Sequence, residues 1–174
     1  MLFGAGHVYA VGVSGITSTV AVLDPRTGKL IRYLFNNHDF GDIYSIALRG
    51  NTLYVGGAVI KINGHRVSRI AAVNADTGHL LNWRRATGMS VDENVFSLVV
   101  RGDTIYLAGQ FRKIDGSERR GLAALSTKTG KLLGWNPQLS GSARKLEVVG
   151  KQLYALGDFG AVGSQVQPYL ARFR

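Results

Sequence analysis

The chain has 174 residues, 45% of them apolar, with 23 glycines, three prolines and no cysteine. That is enough for one domain with a real core and too apolar for a disordered chain; the missing thiols exclude a disulfide framework and a thiolate metal site but leave the redox compartment open. A formal charge of +10 and a pI near 10.2 favour phosphates, acidic polysaccharides or a membrane surface as partners, although a scaffold with merely basic turns carries the same charge.

Met1-Leu2-Phe3 runs straight into strand-like sequence with no basic leader or apolar segment, so no signal peptide is expected. No apolar run approaches the roughly 18 residues of a membrane helix. Residues 1–42 hold a worn unit: Val8-Tyr9-Ala10-Val11-Gly12, then Ala21-Val22-Leu23-Asp24, then Thr27-Gly28-Lys29-Leu30. Residues 43–94 repeat it with Leu53-Tyr54-Val55-Gly56-Gly57, Asn63-Gly64, Ala71-Ala72-Val73 and Thr77-Gly78-His79-Leu80-Leu81. Residues 95–142 carry the clearest copy, and residues 143–174 a last one with Leu153-Tyr154-Ala155-Leu156-Gly157, Phe159 and Leu170-Ala171. Tyr9, Tyr54, Tyr106 and Tyr154 lie 45, 52 and 48 residues apart, and Gly28, Gly78 and Gly130 lie 50 and 52 apart. A period of that length signals a repeat architecture.

The third unit resolves into four short apolar or alternating segments bounded by turn residues, at 95–100 (a), 104–108 (b), 121–126 (c) and 131–135 (d). This is strand patterning, and the β-branched, Tyr-rich runs exclude a helical solenoid. The a–b turns fall at Gly50, Gly102 and Gly150, and the c–d turns at Thr27-Gly28, Thr77-Gly78 and Thr129-Gly130, where glycine supplies the backbone freedom of a tight hairpin. Asn63-Gly64 and Asp115-Gly116 predict that b and c extend into a protruding ribbon. The expected fold is therefore all-β: a β-propeller arc of four-stranded antiparallel blades, one domain over 1–174, with two complete blades flanked by two incomplete ones. Such an arc leaves apolar faces bare at both ends. The expected partner is a second copy, two chains closing a ring of about seven or eight blades, or the remainder of a longer chain. A small four-bladed closure is a further possibility.

The repeated motif ending in Trp83 and Trp135 resembles the tryptophan-docking motif of pyrroloquinoline-quinone propellers. There the tryptophan follows glycine by four positions, whereas Trp83, Trp135 and Tyr33 follow by five. The set Gln110-Phe111, Asp115-Gly116, Leu122 to Leu125, Thr129 to Leu132 and Trp135-Asn136-Pro137 more closely resembles the bacterial propellers of the delta-sixty repeat group, over nearly the whole chain. That resemblance implies a non-catalytic binding or scaffold module, extracytoplasmic or at the cell surface; with the basic charge, the expected ligand is a protein or an acidic glycan, and with the shifted tryptophan no cofactor is expected. The alternative is part of a propeller enzyme, a quinone-dependent dehydrogenase or a polysaccharide-cleaving hydrolase.

Trp83 and Trp135, like Tyr54, Tyr106 and Tyr154, recur at fixed repeat positions and are read as blade-packing aromatics, with Gly78 and Gly130 as structural turns. Arg101-Gly102-Asp103 spells an adhesive tripeptide, but its repeat neighbours mark the slot as a hairpin turn. His7, His38, His65 and His79 lack ligand spacing, Asn36-Asn37-His38-Asp39 reads as a turn, and no metal site is expected. The pairs Asp92-Glu93 and Asp115 with Glu118 invite an acid-base reading, yet Arg119-Arg120 beside Glu118 favours a salt-bridged loop, and no nucleophile motif is present. The a–b and c–d turns form one basic but flat surface, with Lys128 and Lys131. The longer b–c and d–a links share the other face and offer concavity, so Lys61, Arg66, Arg112 and Arg119 are the expected contacts to a carboxylate, sulfate or phosphate. Nothing beyond basic charge supports nucleic acid.

Overall fold

The computed structural model of the chain describes residues 2–4, 6–14, 17–36, 41–59, 61–83 and 91–174, and the regular structure among them is all β. His38 and most of the link after Trp83 lie outside these residues. The first unit is a four-stranded antiparallel sheet of β1 (Leu2–Gly4), β2 (His7–Ser14), β3 (Thr17–Leu23) and β4 (Leu30–Asn36), in chain order. In the second, β5 (Ile43–Arg49), β6 (Thr52–Gly57) and β9 (Ile70–Asn74) form a sheet, and β7 (Lys61–Ile62) with β8 (His65–Arg66) forms a ribbon. The third repeats this with sheet strands β10 (Val95–Arg101), β11 (Thr104–Gly109) and β14 (Leu122–Ser126), and ribbon strands β12 (Lys113–Ile114) and β13 (Ser117–Glu118). The fourth does so with β15 (Ser142–Val149), β16 (Gln152–Asp158) and β19 (Leu170–Phe173), and ribbon β17 (Ala161–Val162) and β18 (Gln165–Val166).

The c–d turn shows why its residues recur. Asn74 Oδ1 accepts from the amides of Asp76 and Thr77 at 2.9 Å each, and Thr77 Oγ1 accepts from the His79 amide at 3.3 Å. Asp24 and Ser126 stand in the same place, with Thr27 and Thr129 after them. A short polar side chain thus satisfies turn amides that no strand can reach. Gly78 then takes φ 73°.

The fourth segment differs from expectation in the second and third units, where it makes one bridge each, Val73 to Leu80 and Leu125 to Leu132. After the Leu81 amide bonds the Ala72 carbonyl at 2.8 Å, the chain leaves the sheet. The Trp83 indole N–H instead donates to the Ser126 carbonyl of the next sheet, 3.1 Å away, so packing between sheets replaces a fourth strand. The links also pair, as Val91 bridges Ile114 and Leu139 bridges Val162, tying each link to the ribbon of the following unit.

Successive side chains point to opposite faces of a strand, so the unbroken apolar runs of β6, β9 and β14 line both faces of their sheets, and neighbouring larger sheets stack through such faces in three clusters. Tyr9, Val20 and Val22 of the first sheet cover Leu53, Val55, Ala71 and Val73 of the second. Tyr54, Ile70 and Ala72 cover Ile105, Leu107, Ala123 and Leu125, and residues of the third sheet cover Leu153, Ala155 and Ala171 likewise. Each fully buried aliphatic side chain here contributes about 1.5–3 kcal/mol. Tyr54 and Trp83 meet edge to face at 5.0 Å, and Tyr106 and Trp135 at 5.1 Å. The Tyr54 hydroxyl donates to the Thr127 carbonyl at 3.0 Å, and burial pushes its pKa up.

The first strands of successive units, β1, β5, β10 and β15, contact one another in turn. In β5, β10 and β15 a bulge follows Ile43, Val95 and Ala143, which lie opposite Gly57, Gly109 and Gly157. A Cβ on any of these glycines would overlap a backbone carbonyl oxygen, of Asp42, Asn94 and Ser142 respectively. The bulge turns out one side chain per unit, giving a row in which Tyr44 lies 5.7 Å from Phe96 and the Arg144 guanidinium 5.1 Å from the Phe96 ring. The next residue is Ser45 or Ser97, whose hydroxyl accepts the Leu98 or Leu146 amide of the following sheet at 3.0 Å.

Candidate functional site

On the face of ribbons and links, a groove of about 560 Å³ lies between the third unit's ribbon and the link at Leu139–Ser142. Its charged lining is Arg112, Lys113 and Arg120, with Glu93 and Glu118. Gln110, Ser140 and Ser142 add neutral polar groups over a floor that includes Phe111, which is buried.

Backbone geometry holds these groups. Asp92 spans the ribbon entry, accepting the Arg112 amide on Oδ1 at 3.0 Å and the Lys113 amide on Oδ2 at 3.1 Å. Its carboxylate is thereby committed to the fold rather than to a substrate. Ser140 does the same one unit on, accepting the amides of Gly160 and Ala161 at 2.9 Å each. Lys113 stands opposite Glu118 in the β12–β13 register, and Arg120 approaches Glu118 at 3.7 Å with both side chains more than half exposed. Pairs so exposed are worth little in stability and stay free to exchange partners.

Of the four expected contacts, only Arg112 lines the groove. Arg119 is partly buried and turned away, donating from Nη1 to the Glu118 carbonyl at 2.7 Å and from Nη2 to the Leu133 carbonyl at 3.1 Å, where it anchors the fourth segment. Lys61 and Arg66 face each other on the β7–β8 ribbon of the preceding unit and take no part in the lining. Arg120 takes the role expected of Arg119. Beyond the end of β13, Arg120 meets Glu118 whereas Arg119 between them reaches back to Leu133.

The opposite face is knit by charge. Asp103 receives Arg49 on Oδ1 and Lys128 on Oδ2, the latter at 2.7 Å, so the aspartate of the adhesive tripeptide is already held by two cations. The Lys128 hydrogen bond, ahead of the charges of Lys128 and Arg49, lowers the Asp103 pKa. A depressed carboxylate contributes stability above its unfolded value of about 3.9 and loses it as pH falls through the folded value. Asp103→Asn is therefore expected to lower the melting temperature slightly at pH 7, with the gap to the parent closing below pH 4 in a melting series. A pH-independent gap would assign the loss to geometry instead. Among the described residues no three His, Asp or Glu side chains gather as a metal site, and no helix is long and apolar enough to cross a membrane.

These features define a class, an all-β chain of small antiparallel sheets stacked in sequence with a cationic groove on its link face. No protein-family model and no curated protein matches the chain. Among solved structures, the crystal structure of the computationally designed Ika4 protein matches with a TM-score of 0.54, covering 99% of this chain and 94% of that one at 13% identity. At that identity the likeness is one of fold alone.

Proposed function

We propose that the chain is a non-catalytic binding module, an arc of β-propeller blades that recognises an acidic glycan in the link-face groove and works at the cell surface. The arc is supported by four repeated sheets whose first strands adjoin in order. The groove carries the functional reading. Arg112, Lys113 and Arg120 suit carboxylate or sulfate groups through charge-assisted hydrogen bonds. Glu93 and Glu118 suit sugar hydroxyls as acceptors and disfavour a densely phosphorylated ligand.

Titration with a uronate or sulfated oligosaccharide by calorimetry tests this. The double change Arg112→Ala and Arg120→Ala is expected to weaken binding at least tenfold, and added salt to weaken the parent's binding. Binding that survives this change but is lost with Lys128→Ala and Lys131→Ala would move the site to the opposite face.

A further inference from the structure

We propose that the outer face of the fourth sheet docks on the outer face of the first sheet of a second copy, head to tail, so that two chains close one ring. The same two faces already meet three times inside the chain. Leu170 of β19 and its cross-strand neighbour Leu156 of β16 are 47% and 41% exposed. Their equivalents one unit earlier, Leu122 and Ala108, are 0% exposed against the next sheet. At the other end Val8, Ala10, Ala21 and Leu23 remain partly exposed. The residues in their places, Ile105, Leu107, Ala123 and Leu125, are wholly buried by the preceding sheet. Leu30, Ile31 and Tyr33 of β4 add exposed apolar surface at the same end.

The two bare faces are thus the two halves of an interface whose registry the chain itself displays. Copying the Tyr54-to-Thr127 bond across the seam aims the Tyr154 hydroxyl at the Pro25 carbonyl of the second copy. Such a contact joins different surfaces of identical chains, so it must close or grow. Closure by two copies satisfies both seams at once.

Light scattering of the purified chain at micromolar concentration is expected to give twice the 18.8 kDa chain mass. Leu170→Glu blocks one face, at an exposed position, and Ala21→Glu the other, at a partly exposed one, and each is expected to weaken pairing at least tenfold while the β circular dichroism spectrum is retained. Mixed, the two variants have one intact seam between them and are expected to pair more tightly than either alone. A parent chain that stays monomeric, a Leu170→Glu variant that keeps the doubled mass, a mixture that fails to pair, or open-ended growth overturns the proposal. The groove lies within one chain and excludes Leu170, so glycan binding by a monomeric Leu170→Glu variant separates this outcome from that of the binding reading.

Discussion

Gly78→Ala is expected to destabilise the chain by about 2–5 kcal/mol, a large share of the 5–15 kcal/mol that holds a domain folded. Two costs combine. At φ 73° a side chain pays the left-handed penalty of roughly 1–2 kcal/mol. Its Cβ would also overlap the Leu34 carbonyl oxygen of β4, so the second sheet must draw back from the first, at about 1–3 kcal/mol for overpacking. Gly28 is the internal control, since it occupies the same turn at φ 68° with nothing within 4 Å of an added Cβ. Gly28→Ala is expected to shift the urea midpoint only by the conformational share. Equal losses at the two positions would show that the turn, and not the contact between sheets, sets the requirement for glycine.

Trp83→Ala is expected to cost about 3–5 kcal/mol, the usual range for emptying a large buried aromatic site. The ring is 7% exposed, meets Tyr54 edge to face and donates to Ser126 in the next sheet, so its loss loosens two sheets at once. Trp83→Phe keeps much of the area but abandons the N–H bond, and about 1–2 kcal/mol separates it from the parent. Tyr33 holds the equivalent sequence place in the first unit but is 52% exposed within the single chain, and Tyr33→Ala in the unpaired Leu170→Glu chain should fall within about 0.5 kcal/mol of Leu170→Glu alone. Denaturant titration followed by tryptophan fluorescence reads all three. A Trp83→Ala loss as small as that of Tyr33→Ala would deny the tryptophan its place in the stack.

The repeat, the strand assignments for the first three segments and the turn chemistry were legible because each rests on a local rule. Alternation marks strands such as Thr104–Gly109, and the Asn74, Asp24 and Ser126 side chains satisfy turn amides within five residues of themselves. What depends on the next sheet was not legible. The fourth segment around Leu80 looks strand-like on its own, but the Trp83 that ends it bonds a carbonyl more than forty residues away in the next sheet. The bulge after Ile43 and Val95 breaks the alternation that would otherwise place Tyr44 and Phe96, and only the partner strand's glycine exposes it. In the groove, one step along the chain separates Arg120, which lines it, from Arg119, which anchors Leu133. Composition chose the right loop and missed the parity.

Ser45 and Ser97 act as register pins, each hydroxyl locking the strand of the following sheet against sliding along its own axis. The residue in that place in β15 is Lys145, whose ammonium turns to Glu147 at 3.2 Å. The joints within the chain behind those serines are therefore mortised, whereas the last sheet ends in a smooth bearing. A neighbour seated on it meets no serine pin and is held by burial and by the Tyr154 hydroxyl.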